Sequence, residues 1–443
     1  MVNLNHADLV VAGGGLSGSR VVIHVLNRLL EAGKGAGEKP IEIVMIDRFG
    51  EFGRGIPYGK QSPSGFLLIE PAAQSTPKEF RDWLSMHDKE LVHEGVHHED
   101  RLLQAWIFRF KEQLQSGQVD ELYVPRKLFG FYVERLLRQT VQLAEERNLA
   151  KVGFITGEVT DIEPEASGFT TRLADDSSFH SLAFVLATGC IPRSNSYGLS
   201  ADEGYIHDLY EDAYAGLEKA VATRAKAFGR KLDILIAGSN ASAIEAIYFL
   251  SNRAELLSAV RSINVVSSSG YLPGGVFEGE ENEALTSGGQ RPSALEYIEI
   301  AARFVAEGLV TATQAKIIHM DSRADRRLYI EAEGQEGEIE LTADIVVNCT
   351  GAGRVNRTDS PLIGNLRARE NHFKMNASLR GFQLRPNGYE LEGVDNGFVI
   401  GPLLNRDALE THVESILAVY RVAEELGNVL YQRISETAMA SKG

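Results

Sequence analysis

The chain has 443 residues, 44% of them hydrophobic, with 43 glycines and a formal charge of −16. That balance suits an α/β protein with many tight turns and room for large cores. No basic cluster is dense enough to track a phosphate backbone, which disfavours nucleic acid and anionic membrane surfaces as partners. The two cysteines, Cys190 and Cys349, lie far apart without a C-x-x-C, so neither dithiol redox chemistry nor a disulfide framework is expected. The first residues run straight into a strand with no basic leader, and no apolar run approaches the roughly 18 residues of a membrane span. The expectation is a soluble, cytoplasmic protein.

The strongest signal comes first in the chain. "ADLVVAGGGLSGSRVVIHVLNRLL" reads as strand, turn and helix around Gly13-Gly14-Gly15-Leu16-Ser17-Gly18. In such a G-x-G-x-x-G turn Gly13 permits the bend, Gly15 lets backbone N–H groups approach a pyrophosphate, and Gly18 lets the helix pack against the strand. The helix start turns its positive end toward the phosphates. Val21, Val22, Val25, Leu26, Leu29 and Leu30 form one apolar helical face. The next strand, "IEIVMIDR", ends in Asp47-Arg48, where Asp47 is placed to accept hydrogen bonds from a ribose. Asp47 follows Gly18 by 29 residues, and the glycine-rich "EAGKGAGEKP" absorbs the excess over the usual spacing.

A helical stretch over about residues 76–118 follows. His93, His97 and His98 within it have a spacing that can hold a metal, but no metal motif surrounds them, so an exposed helix end is the expectation and no metal site is assigned. Trp83, Trp106, Phe108 and Phe110 read as core or packing surface. "SLAFVLATGCIPRS" is an apolar strand that breaks at Thr188-Gly189, and "ADIVVNCTGAGRV" repeats the pattern at Thr350-Gly351. Such paired breaks mark where two-dinucleotide flavoproteins pass between domains, and they favour FAD as the first ligand.

Between them "DILIAGSNASAIEAIYFL" repeats strand, turn and helix, with Asn240 where the middle glycine belongs. Asn240 tolerates left-handed angles, so the turn should survive while close phosphate approach suffers. The next strand ends in Ser267-Ser268-Ser269, without an acid for NADH. Glu278, Glu280, Glu281 and Glu283 follow and would repel a phosphate, whereas serine hydroxyls and Arg291 offset some of that repulsion. NADPH or NADH binding there is left open and expected to be weak or lost.

Together with "GRGIPYG" at 53–59, "YVPRKLFGFYVERLL" at 123–137, "SSSGYLP" and "GFVIGPLLNRDALET" at 397–411, these pieces resemble the YdhS-like bacterial FAD/NAD(P)-binding proteins, relatives of flavin-dependent N-hydroxylating monooxygenases. The resemblance implies that Arg54, Gly55, Pro57 and Tyr58 lie near a flavin. It implies that the strand runs into Gly401-Pro402 and then a helix, whose N-terminus points at the flavin. Arg126 opens an amphipathic helix, where its guanidinium can pair with pyrophosphate or, equally, cap the helix or meet a carboxylate. This sequence departs from its relatives at Leu67-Leu68-Ile69-Glu70-Pro71-Ala72, where they carry an asparagine, and at Ser267-Ser268-Ser269, where they carry arginines suited to a 2′-phosphate.

The expected architecture is α/β, with two Rossmann-like domains and a helical insertion: residues 1–214 and 344–443 as a discontinuous FAD domain, and 225–343 as the second. "GLEKAVATRAKAFGRK" and "LTADIVVNCTG" would be the hinges. The expected function is an FAD-dependent oxidoreductase acting on a small molecule, with monooxygenation first and amine N-hydroxylation as a candidate. The alternatives are an oxidase or dehydrogenase reduced by its substrate, and a non-catalytic FAD-binding subunit with a protein partner or a second copy. No residue is assigned as catalytic, and hydrolase motifs are missing.

Overall fold

A computed structural model describes residues 6–33, 39–86, 100–270, 272, 293–386, 388–404 and 415–440. The chain divides into two compact units: residues 1–64, 72–192 and 353–443 form the first, and 65–71 with 193–352 form the second. Strands are numbered β1 to β14 along the chain.

The first unit is built on β1 (His6–Ala12), β2 (Ile41–Asp47), β3 (Ala150–Thr156), β4 (Val159–Glu165), β5 (Gly168–Leu173), β6 (Ser178–Leu186) and β14 (Gly397–Val399). Their order is β3-β2-β1-β6-β5-β4, with β14 beside β6. β1 lies parallel between β2 and β6, Val10 facing Val44 on one side and Phe184 on the other. Leu9, Val10, Val11 and Ala12 are all buried, which is why this strand reads as a continuous apolar run rather than an alternating one. The helix Leu16–Ala32 covers one face through Val21, Val22, Val25, Leu26 and Leu29. The long helix Ile416–Ala440 packs on it; a Cβ at Gly427 would stand 2.6 Å from His24 Cβ, so the approach needs glycine. The expected helical stretch contains Lys78–Met86, Arg101–Arg109 and Lys111–Ser116. Trp83 and Trp106 are buried in it, whereas Phe108 is exposed.

The second unit carries β7 (Tyr205–Ile206), β8 (Leu232–Ala237), β9 (Val260–Ser267), β10 (Val310–Ser322), β11 (Leu328–Gly334), β12 (Gly337–Ala343) and β13 (Ile345–Asn348), ordered β12-β11-β10-β9-β8-β13-β7. Strands β7 to β10 and β13 are parallel, and β11 and β12 add an antiparallel meander. The boundaries therefore differ from those expected near 214 and 344. β13 pairs with β8 (Val346 with Leu235) and with β7 (Val346 with Tyr205), so both flanks belong to the second sheet. The segments expected as hinges are instead a helix, Ala215–Phe228, and this internal strand. Residues 65–71 also belong here: Phe66 sits against Tyr214, Tyr248 and Tyr297, and the Tyr248 hydroxyl donates to Gly65 O at 3.1 Å. At the start of β13 the carboxylate of Asp344, fully buried, takes two 2.7 Å hydrogen bonds from Arg230.

Candidate functional site: two dinucleotide-type turns

At the carboxyl end of β1 the chain turns through Gly13, whose φ of +113° suits glycine alone. A Cβ on Gly13 would overlap the Ala187 carbonyl, and one on Gly18 would overlap Gly13 O. Gly13 N donates to Ile46 O at 2.8 Å, which ties the turn to β2. Gly15 caps the helix in extended backbone, φ −68° and ψ −163°. A Cβ built on Gly15 meets only Gly55, with Cα 3.2 Å away, so the outer face of the turn is bare backbone. Leu16 is buried and Ser17 half-buried. The first-turn N–H groups of this helix have no intrahelical acceptor, the arrangement that lets a helix start hold an anion.

The other expected residues gather around it. Asp47 Oδ2 accepts from Gly14 N at 3.1 Å, and Oδ1 accepts from Phe49 N and Glu51 N at 3.0 Å each. Asp47 thus braces both the turn and its own loop, with lone pairs left for a ribose. Arg48 is exposed and lies 3.9 Å from Glu158. Gly53 N donates to Gly14 O at 2.8 Å, so the 53–59 segment is stitched onto the turn. Gly55 opens the short helix Gly55–Tyr58, and the Tyr58 ring packs edge-on against Phe129 at 5.2 Å. Arg54 is buried, with Nη2 2.6 Å from Glu134 Oε2, so its charge is matched within the protein. Arg126 is the buried first residue of the helix Arg126–Glu146. Thr188 is exposed beside the turn, and Gly189 has φ +77°. Gly401 follows β14, and a Cβ there would stand 2.8 Å from Ser17 Oγ.

Gly401 and Pro402 open a three-residue 3-10 turn, Gly401–Leu403. The helix expected to follow it falls on residues 405–414, which lie outside the described ones.

Sequence reasoning missed two features here. Ser19, fully buried, donates from Oγ to Gly14 O at 2.8 Å and accepts from Gly53 N at 3.0 Å. Arg20, 8% exposed, stacks its guanidinium 3.9 Å from the Tyr420 ring centre, with Nη2 3.1 Å from His24 Nε2. Burial and the neighbouring Arg20 charge push His24 down to about 4. Neither a serine nor an arginine inside a helix carries a sequence signal for such placements.

The second unit repeats two of the turn's backbone hydrogen bonds. Gly238 has φ +98°, and its N donates to Val266 O at 2.8 Å. Cys349 N donates to Ala237 O at 2.7 Å, as Ala187 N does to Ala12 O at 2.8 Å. Asn240 stands where Gly15 does, with φ −83° and ψ −170°. The left-handed tolerance invoked for Asn240 is therefore not called on; Gly238 alone takes positive φ at this turn. Asn240 is exposed, and its side chain makes no cap bond. Where Asp47 ends β2, Ser267 ends β9. Ser267 Oγ lies 3.1 Å from Ser269 Oγ, which lies 2.9 Å from Ser239 Oγ. The acidic loop with Glu278, Glu280, Glu281 and Glu283, Arg291, and the histidines at 93, 97 and 98 all lie outside the described residues. Among the described residues no acid, histidine and cysteine cluster suits a metal, and no helix is long and apolar enough to cross a membrane.

The FAD-NAD(P)-binding family model matches residues 10–190, the span that holds the first turn. Uncharacterized proteins of Mycobacterium bovis and Mycobacterium tuberculosis are 27% identical over 288 residues, covering 60% of this chain and 52% of their own. The chain thus spans about half the length of the curated relatives it matches. L-lysine 6-monooxygenase from Pseudomonas syringae aligns with TM-score 0.62 at 17% identity, over 97% of this chain and 100% of that one. The cadaverine monooxygenase DfoA from Erwinia amylovora, solved with FAD, gives 0.61 at 14%, over 97% and 94%. Thioredoxin reductase from T. acidophilum gives 0.50 at 11%, over 97% and 99%. The chain has the α/β fold of two-dinucleotide-binding flavoproteins, with two mixed sheets.

Proposed function

We propose that this chain is an FAD-dependent oxidoreductase acting on a small molecule, a monooxygenase with amine N-hydroxylation as the candidate reaction, and that its second nucleotide site is degenerate. The observation that carries the FAD reading is the cradle at Gly13–Gly18: overlap with neighbouring backbone bars side chains at Gly13 and Gly18, while Gly15 leaves the outer face bare. Asp47, Gly55, Thr188, Gly189 and Gly401 surround it and are the residues proposed to hold the cofactor, with Ser17 and Tyr58 beside them. Arg54 is proposed to act through its backbone, since Glu134 already matches its charge. When bound, the flavin would supply the electron transfer. The protein would fix the diphosphate on the first-turn N–H groups and hold the ribose at Asp47. The similarity to lysine and cadaverine monooxygenases supports the reaction class, and that to thioredoxin reductase supports only the wider flavoprotein class.

A second reading has its own support. With Asn240 at the turn and Ser267 at the strand end, a nicotinamide donor has poor purchase, which favours an oxidase or dehydrogenase reduced by its own substrate. Anaerobic mixing separates the two. The degenerate site predicts that neither NADPH nor NADH alone rapidly bleaches the flavin, and that a separate reductase supplied with NADPH, or, on the second reading, the substrate alone, does. Rapid bleaching by NADPH would refute the claim about the second site.

A further inference from the structure

The chain as a whole is acidic, yet residues 353–385 hold seven basic side chains against two acidic ones. Four of the seven are engaged. Arg369 binds Asp161 and Glu163, Lys374 lies 2.9 Å from Glu392, and Arg385 pairs with Glu390 and Asp395. Arg367 donates to the Asn356 carbonyl at 2.9 Å. The other three, Arg354, Arg357 and Arg380, are exposed, and among the described residues none of their guanidinium groups meets a carboxylate.

Local structure holds these three together. Arg354 and Arg357 face each other across a tight turn, with Arg357 N donating to Arg354 O at 2.9 Å. Val355, fully buried, anchors the turn in the core. Like charges directly opposite one another on paired backbone repel. No bond among the described residues offsets that repulsion, whereas a bound acidic surface would. Val355 N also donates to Leu379 O at 2.9 Å, which brings Arg380 beside the turn. Leu379 has φ +58°, a left-handed angle uncommon for so bulky a residue, and Arg380 N donates to Asn376 Oδ1 at 3.2 Å.

Both loops abut segments proposed to surround the cofactor. Gly353 N donates to Ile191 O at 2.8 Å and Thr358 Oγ1 to Pro192 O at 2.9 Å, just after Thr188 and Gly189. A Cβ on Gly381 would overlap the Leu403 carbonyl, two residues after Gly401. With a formal charge of −16 on the chain, an acidic protein is repelled by most of the surface and attracted here, so the patch fixes where it lands.

We propose that Arg354, Arg357 and Arg380 form a docking surface for an acidic protein, a one-electron carrier that reduces the flavin. The inference rests on the proposed function, in which a nicotinamide has poor purchase on the second turn and electrons come from another protein. Two molecules of reduced carrier are oxidised for each two-electron reduction, and solvent supplies the protons.

The test uses the whole FAD-loaded chain, with an acidic two-iron ferredoxin as the probe, against the variant Arg354→Gln/Arg357→Gln/Arg380→Gln. In anaerobic stopped flow at low salt, reduced ferredoxin should bleach the wild-type flavin about tenfold faster than the variant's, or more, and added salt should erase the difference. Photoreduction with 5-deazaflavin, which needs no docking, should be equal in both. The variant should melt no lower than wild type, because a repulsion has been removed. Calorimetry with oxidised ferredoxin should show binding to wild type that the variant loses. Equal bleaching rates, or no ferredoxin binding to wild type, would overturn the proposal. So would binding of inorganic phosphate alone, which makes the patch a small-anion site, or self-association lost in the variant, which assigns it to a second copy. Rapid bleaching by NADPH alone would instead refute the degenerate second site, and a chain without flavin would refute the FAD reading. The calorimetric comparison decides the docking surface in either case.

Discussion

Gly15 and Asn240 share one backbone conformation, so exchanging their side chains isolates what the side chain does. Gly15→Asn should keep the fold, because extended backbone suits any residue there and its Cβ, 3.2 Å from Gly55 Cα, asks the neighbouring segment to give by only a few tenths of an ångström. It places an amide over the first-turn N–H groups, and FAD affinity should fall about tenfold or more through lost charge-assisted hydrogen bonds. Fluorescence titration with FAD, alongside a circular dichroism melt, checks this; an unchanged affinity would contradict the assignment of the cradle. His24 makes a separate prediction. Its folded pKa of about 4 lies below the unfolded value near 6.5, so between these the unfolded chain binds the extra proton. Stability should be full above about pH 6.5 and decline as the pH falls toward 4. The loss should reach about 1–2 kcal/mol, discounted for a half-buried ring. Arg20 and Glu31 are the charges that act on this ring, in opposite senses. Chemical denaturation across that window should show the decline in wild type and a flatter profile in His24→Gln; equal slopes would remove His24 as the cause.

Among elements, the helix Arg126–Glu146 and the 53–59 segment are joined at one point. A Cβ on Gly130 would overlap the carbonyl of Tyr58. Gly130→Leu should cost about 1–3 kcal/mol through overpacking. It should also weaken FAD binding, since the displaced segment touches Gly15 through Gly55. A thermal melt and a FAD titration on the same sample test both, and a variant with wild-type values in each would refute the coupling. This joint was partly legible in the sequence, because "GRGIPYG" and "VPRKLFGFY" stood out as motifs, but nothing in them says that they touch. The strand, turn, helix and strand of both units were legible because apolar runs, glycines and helical periodicity are local signals. The unit boundaries were not. β7 has two residues, and β13 joins the second sheet only by pairing with partners more than a hundred residues away. The short run 65–71 belongs to the second unit through ring contacts of Phe66 that no local pattern encodes.

Across the whole molecule, the chain repeats a dinucleotide-type turn, and the proposed function keeps the phosphate chemistry in only one copy. The first turn has a bare glycine cap and an acid at the strand end. The second has an asparagine cap and serines at the strand end. On this account one chain carries one FAD. The most direct measurement is the cofactor content of the purified protein, read from its visible absorption and from the FAD released on denaturation. The account predicts a yellow protein with about one FAD per chain, lost in Gly15→Asn but retained in Asn240→Ala. A colourless protein with no affinity for added FAD, or one whose flavin survives Gly15→Asn and is lost with Asn240→Ala, would contradict it.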